Sequence, residues 1–307
     1  MPDLNREPSL SVLMPVRNGA AFLKAAIESI IQQTFVDFEF IIIDDGSTDA
    51  TPEILNEFAK IDSRILVMTR PPDGMRAALN LGLSLSNAAI VARMDADDIA
   101  LPDRFALQVD FLRRFPEVLA VGGQTWAIDE DGDVMFAIHC PTETNEIEQC
   151  LLRGRNCQSH PAMMLRKSAV FNVGGYQDEY PTDDYGLWLR MLELGPITNL
   201  PQYLLQYRLH PQASSIEKHD RQRQATETLL AAVYKRRGLG VPPKLPNDFA
   251  PRSVARLHHH WAMSAARQGI WPTAKKHAWR SLKLEPTNLH GWWTLLKSVI
   301  GVRRIFG

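Results

Sequence analysis

Ala89-Ile90-Val91-Ala92-Arg93-Met94-Asp95-Ala96-Asp97-Asp98 runs from a β-type apolar segment straight into an acidic cluster. About fifty residues earlier, Phe40-Ile41-Ile42-Ile43 does the same into Asp44-Asp45-Gly46-Ser47. Carboxylates crowded at neighbouring strand ends repel unless a cation or hydrogen-bond donors offset them. An Asp-x-Asp at a strand end presents hard oxygen ligands on one side of a tight turn, which suits Mg²⁺ or Mn²⁺ carrying a diphosphate.

Outward from these clusters the pattern is strand–helix alternation. Leu10–Met14 reads as a buried strand closed by Pro15, and apolar residues at helical spacing follow from Gly19 to about Gln33. Ser47-Thr48-Asp49 reads as a cap for a helix over about 51–60, Arg64–Thr69 as a strand, Gly74–Leu85 as a helix and Ala88–Met94 as a strand. Pro102-Asp103-Arg104 opens a helix to about Phe115. Further strands are expected over Leu119–Ile128, Ala162–Arg166 and Leu204–Leu209, with helices over 142–153 and Asp183–Leu194. This order predicts an α/β fold with a largely parallel sheet, whose ligands bind beyond the carboxyl ends of the strands. Both acidic clusters sit there.

From about residue 216 the pattern becomes all helical: 218–237, 252–268, 272–284 and 287–300, with a linker at about 238–251. Two domains follow, 1–215 and a helical extension over 216–307. The 307 residues carry a net charge of −1, which conceals an asymmetry. Residues 1–215 hold 17 Lys/Arg against 30 Asp/Glu, and 216–307 hold 17 against 5. No nucleic-acid partner is expected; the basic tail suits an anionic membrane surface. Trp292-Trp293 through Arg303-Arg304-Ile305-Phe306 mixes aromatic, aliphatic and basic residues, which fits either in-plane membrane docking or packing on the body of the protein. Cys140, Cys150 and Cys157 form no CxxC pair and read as reduced thiols. With no signal-peptide pattern and no apolar run near the roughly 20 residues of a membrane span, a cytoplasmic protein is expected, peripheral at most to the inner membrane face.

Two motifs invite a metal reading and do not support it. Asp129-Glu130-Asp131-Gly132-Asp133 lacks the later Glu of a calcium loop and is expected to be a solvated turn. His258-His259-His260 on one helix point in directions about 100° apart and cannot converge on one ion.

Pro15-Val16-Arg17-Asn18, Asp44-Asp45-Gly46-Ser47-Thr48-Asp49, Asn80, Asp95-Ala96-Asp97-Asp98, Pro102-Asp103-Arg104, Gly174-Gly175-Tyr176 and Asp183-Asp184-Tyr185-Gly186-Leu187-Trp188 occur in the order seen in glycosyltransferase family 2. Residues 9 to about 212 resemble that family. The resemblance implies a GT-A fold, a Rossmann-like mostly parallel sheet flanked by helices, and inverting transfer from a nucleotide-diphosphate sugar. It places Pro15, Val16, Arg17 and Asn18 against the nucleotide, and Asn80 and Trp188 among the substrate-binding residues. It matches Asp45 to an acceptor for a base imino N–H, which favours a UDP-sugar. Asp44 either caps the next helix or braces the loop. Asp97 matches the metal ligand, with Asp95 toward the ribose or the metal and Asp98 orienting either one.

An inverting transferase needs one carboxylate to take the acceptor proton. Asp184 matches that base, and Asp183 stands where the family usually has Glu, leaving open which of the two acts. Tyr207-Arg208-Leu209-His210 resembles a closing segment from which Arg208 or His210 meets the diphosphate or the metal. Ser159-His160-Pro161 reads as a pocket wall more than a proton shuttle. The expected activity is metal-dependent transfer of a sugar, with Mg²⁺ or Mn²⁺, to a hydroxyl of a glycan or lipid-linked acceptor, as in cell-surface polysaccharide synthesis. A sugar-phosphate nucleotidyltransferase is the alternative enzyme, but residues 15–22 lack its glycine-rich phosphate loop. A non-catalytic nucleotide-sugar scaffold is the alternative outside enzymology.

Overall fold

The computed structural model describes residues 7–177, 183–211, 219–245 and 253–300. Residues 246–251 of the expected linker, the basic segment after Ile300, and residues 178–182 before Asp183 lie outside them, as does the Asp183 side chain.

Nine strands form one sheet. They are β1 (Leu10–Val16), β2 (Phe38–Asp44), β3 (Ile65–Thr69), β4 (Ile90–Arg93), β5 (Ile99–Ala100), β6 (Ala120–Ile128), β7 (Val134–Ile138), β8 (Met164–Arg166) and β9 (Ile197–Arg208). The order is β3-β2-β1-β4-β8-β6-β9-β5, with β7 on β6. β1, β2, β3 and β4 are mutually parallel, with Leu10 opposite Phe38 and Ser11 opposite Val91. β8 runs antiparallel to both β4 and β6. The crossovers are α1 (Leu23–Ile31), α2 (Thr51–Ile61) and α3 (Met75–Leu85). Each turns an apolar stripe inward: Leu23, Ala26, Ile27 and Ile30 on α1, and Ala78, Leu79 and Leu83 on α3. The remaining helices are α4 (Arg104–Arg114), α5 (Thr144–Leu152), α6 (Lys167–Asn172), α7 (Asp183–Met191), α8 (His219–Arg237), α9 (Val254–Arg267), α10 (Trp271–Leu284) and α11 (Leu289–Ile300).

Three elements differ from the sequence reading. β1 is not closed by Pro15 but runs to Val16, whose carbonyl takes the Asp45 amide at 2.9 Å. β9 begins at Ile197, before an exposed Pro201 that hides the strand pattern. The two-residue β5, too short to show any periodicity, pairs Ile99 with Gln206 and Ala100 with Leu205. With β4 before it and β5 after it, the Asp95–Asp98 turn is tied to the sheet at both ends.

The described residues group into two compact units that cut across the expected division at 215/216. One holds the chain up to Thr125, His139–Gln206 and Gln222–Leu245; the other holds Trp126–Ile138, the chain from Tyr207 and the helices from Val254 on. Core packing explains the exchange. Leu229, Leu230 and Val233 of α8 share a buried cluster with Ile147, Leu151 and Trp188. Leu257 and Trp261 of α9 share another with Ala127 and Met135.

In the second unit the acidic turn 129–133 is not a solvated turn. The Lys276 ammonium lies against Asp129, Asp131 and Asp133 together. His277 Nε2 meets Asp129 Oδ2 at 2.9 Å, and Arg280 pairs with Glu130 and Asp131. Burial pushes the Asp129 carboxyl up, but the bonds from His277 and Lys276 outweigh it and hold it far below the usual carboxylate range. His258 stacks on His277 with Nδ1 to Nδ1 at 3.0 Å, a packing role for the histidine run. Burial and the neighbouring His277 pull the His258 imidazole down to about 4.

Because the Asp129 pKa is depressed on folding, its stabilisation exists above the unfolded value and disappears as pH falls through the folded one. K276M is therefore expected to cost about 2 kcal/mol at neutral pH, since it strands a buried carboxylate. Urea unfolding should show that cost shrinking below about pH 4. A cost that does not change with pH would contradict the ionic account.

Candidate active site

The acidic turn is built on a guanidinium pair. β4 is locked where it ends: Arg93 N–H donates to the Met163 carbonyl and Met94 N–H to the Leu13 carbonyl, each at 2.9 Å. Arg93 is 2% exposed, and its Nη2 donates to Asp95 Oδ1 at 2.5 Å. Arg104, also fully buried, donates from Nη2 to the Arg93 carbonyl at 2.7 Å and from Nε to Gln108. Gln108 in turn binds the Val121 and Ala162 carbonyls. The Arg of Pro102-Asp103-Arg104 thus secures the residue just before the turn from below. Above it, Asp95, Asp97 and Asp98 each place a carboxylate oxygen within 4.8 Å of the others. Asp98 is buried, and Asp95 and Asp97 are half-buried. Burial pushes the Asp95 carboxyl up; Arg93 opposes this, while Asp97 and Asp184 add to it.

Asp184 stands at the start of α7, close enough for its charge to act on Asp95. Its Oδ2 accepts from Asn156 Nδ2 at 2.7 Å and its Oδ1 from the Tyr185 amide at 2.8 Å. Burial raises this carboxyl, and the bonds from Asn156 and Tyr185 partly offset the rise. A carboxylate so raised is a better proton acceptor than an exposed one. His160 Nε2 lies 2.8 Å from the Tyr176 hydroxyl, and its ring meets the edge of Trp188 at 5.6 Å. Burial, then the nearby Arg93, holds His160 well below its ordinary pKa and therefore neutral, which fits a wall of the site.

Several expected substrate-binding residues have structural duties here. Trp188 is fully buried, with its ring against His160. Asn80 spends both ends of its amide on the backbone of Tyr176, at 2.8 and 3.0 Å, clamping the Gly174-Gly175-Tyr176 turn. A side chain at Gly175 (φ 68°) would meet Asn80 Oδ1 at 2.8 Å. Arg208 is buried, and its Nη1 donates to the Asp129 and Glu130 carbonyls at 2.8 and 3.3 Å, so it anchors that turn in the second unit. His210 belongs to the second unit as well.

On the other side of β1, Pro15 and Val16 are buried, and Arg17 and Asn18 are exposed. Asn18, at φ 53°, joins the two strand-end loops: its amide donates to Ser47 Oγ at 2.9 Å and its Oδ1 accepts from Thr48 N–H at 2.8 Å. Asp44 Oδ1 accepts the Ser47 amide at 3.0 Å, so it braces the loop. Asp45 is buried, with Oδ1 and Oδ2 accepting the Asp73 and Gly74 amides at 2.9 and 2.7 Å. Any base it recognises would share those oxygens with the loop after β3.

Sequence reasoning passed over Arg93 and Asn156. Arg93 carried a signal, a lone cation at the last position of an apolar strand directly before an acidic turn. Asn156 carried none, because 28 residues separate it from Asp184.

The family model for glycosyl transferase family 2 matches residues 11–173. The amylovoran biosynthesis glycosyltransferase AmsE of Erwinia amylovora is 34% identical over 188 residues, 61% of this chain and 70% of that protein. The O-antigen biosynthesis glycosyltransferase WbnJ of Escherichia coli is 32% identical over 205 residues, 66% of this chain and 80% of that protein. Among solved structures, the Pyrobaculum calidifontis mannosyltransferase PcManGT, in complex with GDP-Man and Mn²⁺, is similar with a TM-score of 0.56 and 18% identity, covering 98% of this chain and 87% of that one. TarS of S. aureus, residues 1–349 in complex with UDP-GlcNAc, is similar with a TM-score of 0.55 and 15% identity, covering 94% and 89%. These likenesses are to GT-A folds, in keeping with the curled, mostly parallel sheet. Matched by that model over more than half its length, and covering four-fifths of one relative, the chain belongs to glycosyltransferase family 2 and is a transferase.

Proposed function

We propose that this enzyme transfers a sugar, with inversion, from a nucleoside-diphosphate sugar to a hydroxyl of a glycan or lipid-linked acceptor in polysaccharide synthesis. One observation carries the reading: the Asp95-Asp97-Asp98 turn and Asp184 meet in one compact unit, near enough for Asp184 to perturb Asp95. The relatives' names, in amylovoran and O-antigen biosynthesis, support the polysaccharide assignment. The similar structures hold GDP-Man with Mn²⁺ and UDP-GlcNAc, which supports a nucleotide-sugar donor. Family membership leaves the nucleotidyltransferase and scaffold alternatives without support.

A divalent cation fits the acidic turn. The donor set is all carboxylate oxygen, clustered within 4.8 Å, the hard-ligand chemistry of Mg²⁺ or Mn²⁺. Asp97 would hold the ion, with Asp95 and Asp98 beside it. Bound there, it supplies Lewis-acid stabilisation of the diphosphate leaving group. The protein's own residues do the rest. Arg93 opposes the upward push on the Asp95 carboxyl and holds it in place. Asp184 takes the acceptor hydroxyl proton as the new C–O bond forms at the anomeric carbon and the bond to the diphosphate breaks. Asn156 fixes the orientation of Asp184. Uracil is the favoured base, because Asp45 is an acceptor-only group in the expected nucleotide loop. The three free cysteines suit a reducing, cytoplasmic setting for the reaction.

D97A and D184N are each expected to lower kcat by about a thousandfold or more. D184N should still bind UDP with Mn²⁺, read as an upward Tm shift close to that of the wild type. Wild-type turnover by D184N would remove Asp184 as the base. N156A deletes a bond that favours the charged carboxylate, so the Asp184 pKa should rise. The acid limb of the kcat–pH profile should then move to higher pH with the plateau largely kept; an unmoved limb would contradict the positioning role.

A further inference from the structure

The last described helix, α11, is built inside out. Its buried side is Gly291, Thr294 and Ser298, while Leu289, Trp292, Trp293, Leu296 and Val299 are 79, 48, 50, 48 and 59% exposed. These five positions recur at helical spacing and make one continuous apolar stripe. The inversion has a packing cause. Gly291 lets the helix approach α10 so closely that a Cβ there would lie 2.9 Å from Leu282 Cδ2. The two buried hydroxyls are satisfied inside their own helix: Thr294 donates to the His290 carbonyl at 2.9 Å and Ser298 to the Leu295 carbonyl at 2.7 Å. Small residues thus face inward and the large apolar ones face out.

On α10, Trp279 and Leu284 are also 49 and 56% exposed. Two of the rings carry a cation: the Lys283 ammonium is 5.7 Å from the Trp279 ring centre and that of Lys297 is 5.3 Å from Trp293. Charge over these two helices is one-sided. α11 has no acidic residue, and α10 has none either; beyond Lys276 and Arg280, which pair with the turn 129–133, it carries Lys275 and Lys283. No helix among the described residues is long and apolar enough to cross a membrane.

We propose that this face of α10 and α11 lies in the plane of an anionic membrane, with the tryptophans at the headgroup boundary and Lys283 and Lys297 toward lipid phosphates. The charge argues for lipid over a second copy of the chain. Self-association through this stripe would bring like-charged lysines together, whereas an anionic surface complements them. Tryptophan beside lysine is also the composition that settles at a bilayer interface. The inference goes beyond the transferase reading, and its test needs neither donor nor acceptor.

The full chain is mixed with vesicles of phosphatidylglycerol in phosphatidylcholine, and with phosphatidylcholine alone, and binding is read by flotation and by the tryptophan emission shift. Binding to the anionic vesicles with a blue shift is expected, falling about ten-fold or more when salt is raised or when Lys283 and Lys297 are both changed to Glu. W293E/L296E, which alters only exposed positions and so leaves folding and donor-induced Tm shifts intact, should abolish it. Failure of the wild type to bind anionic vesicles would overturn the proposal. So would a concentration-dependent dimer, seen by sedimentation and removed by W293E/L296E, or binding that appears only once residues 301–307 are deleted.

Discussion

Arg93 against Asp95 is the contact on which the first unit's chemistry depends. An acidic turn of three carboxylates is unstable by itself, since each group raises the cost of ionising the next. Arg93 offsets part of that charge from inside the sheet, and its own burial would be prohibitive without Asp95 to pair with. Arg104 then secures the Arg93 carbonyl, and Gln108 secures Arg104. β5 closes the far end of the turn through its pairing with β9. The geometry at the strand ends therefore follows from pairing Arg93 with Asp95 and holding the Arg93 backbone with Arg104.

A second acidic triad in the same chain shows what an acidic turn paired within the fold looks like. Asp129, Asp131 and Asp133 are also clustered tightly enough for an ion, yet Lys276 occupies the centre and Arg280 and His277 complete the shell. There each carboxylate of the turn has a cationic side chain in contact within the fold, and the result is structural: α10 is fastened to the turn. At Asp95–Asp98, by contrast, Asp184 adds a further carboxylate to the field acting on Asp95. In the proposed function a divalent cation held there would offset the clustered carboxylate charge.

Much of this was legible in the sequence, for reasons that individual residues make plain. Phe40–Ile43 and Ile90–Ala92 are apolar on consecutive positions because both faces of the parallel sheet are covered, and such runs are visible without alignment. The acidic strand ends were visible for the same reason. What was not legible depends on long-range pairing. The Asn80 amide makes a donated and an accepted bond to a backbone 96 residues away, a pairing no local pattern reports. Trp188 and Arg208 have residue types that suit binding, and their burial is set by packing that no local pattern reports. α8 reads as the start of a helical tail, yet its Leu229, Leu230 and Val233 complete the core of the first unit. The inverted face of α11 was half legible: the Trp-Lys composition was evident, but which side packs inward was decided by Gly291 against Leu282.

The contrast between the two triads gives the most direct test of the electrostatic account. Mn²⁺ binding to the full chain, followed by electron paramagnetic resonance with a nucleoside diphosphate present, should show a single site. That site should vanish in D97A and persist unchanged in D133N, whose triad already holds Lys276. Retention of the ion in D97A, or its loss in D133N, would contradict the proposal that the turn after β4 holds the cation.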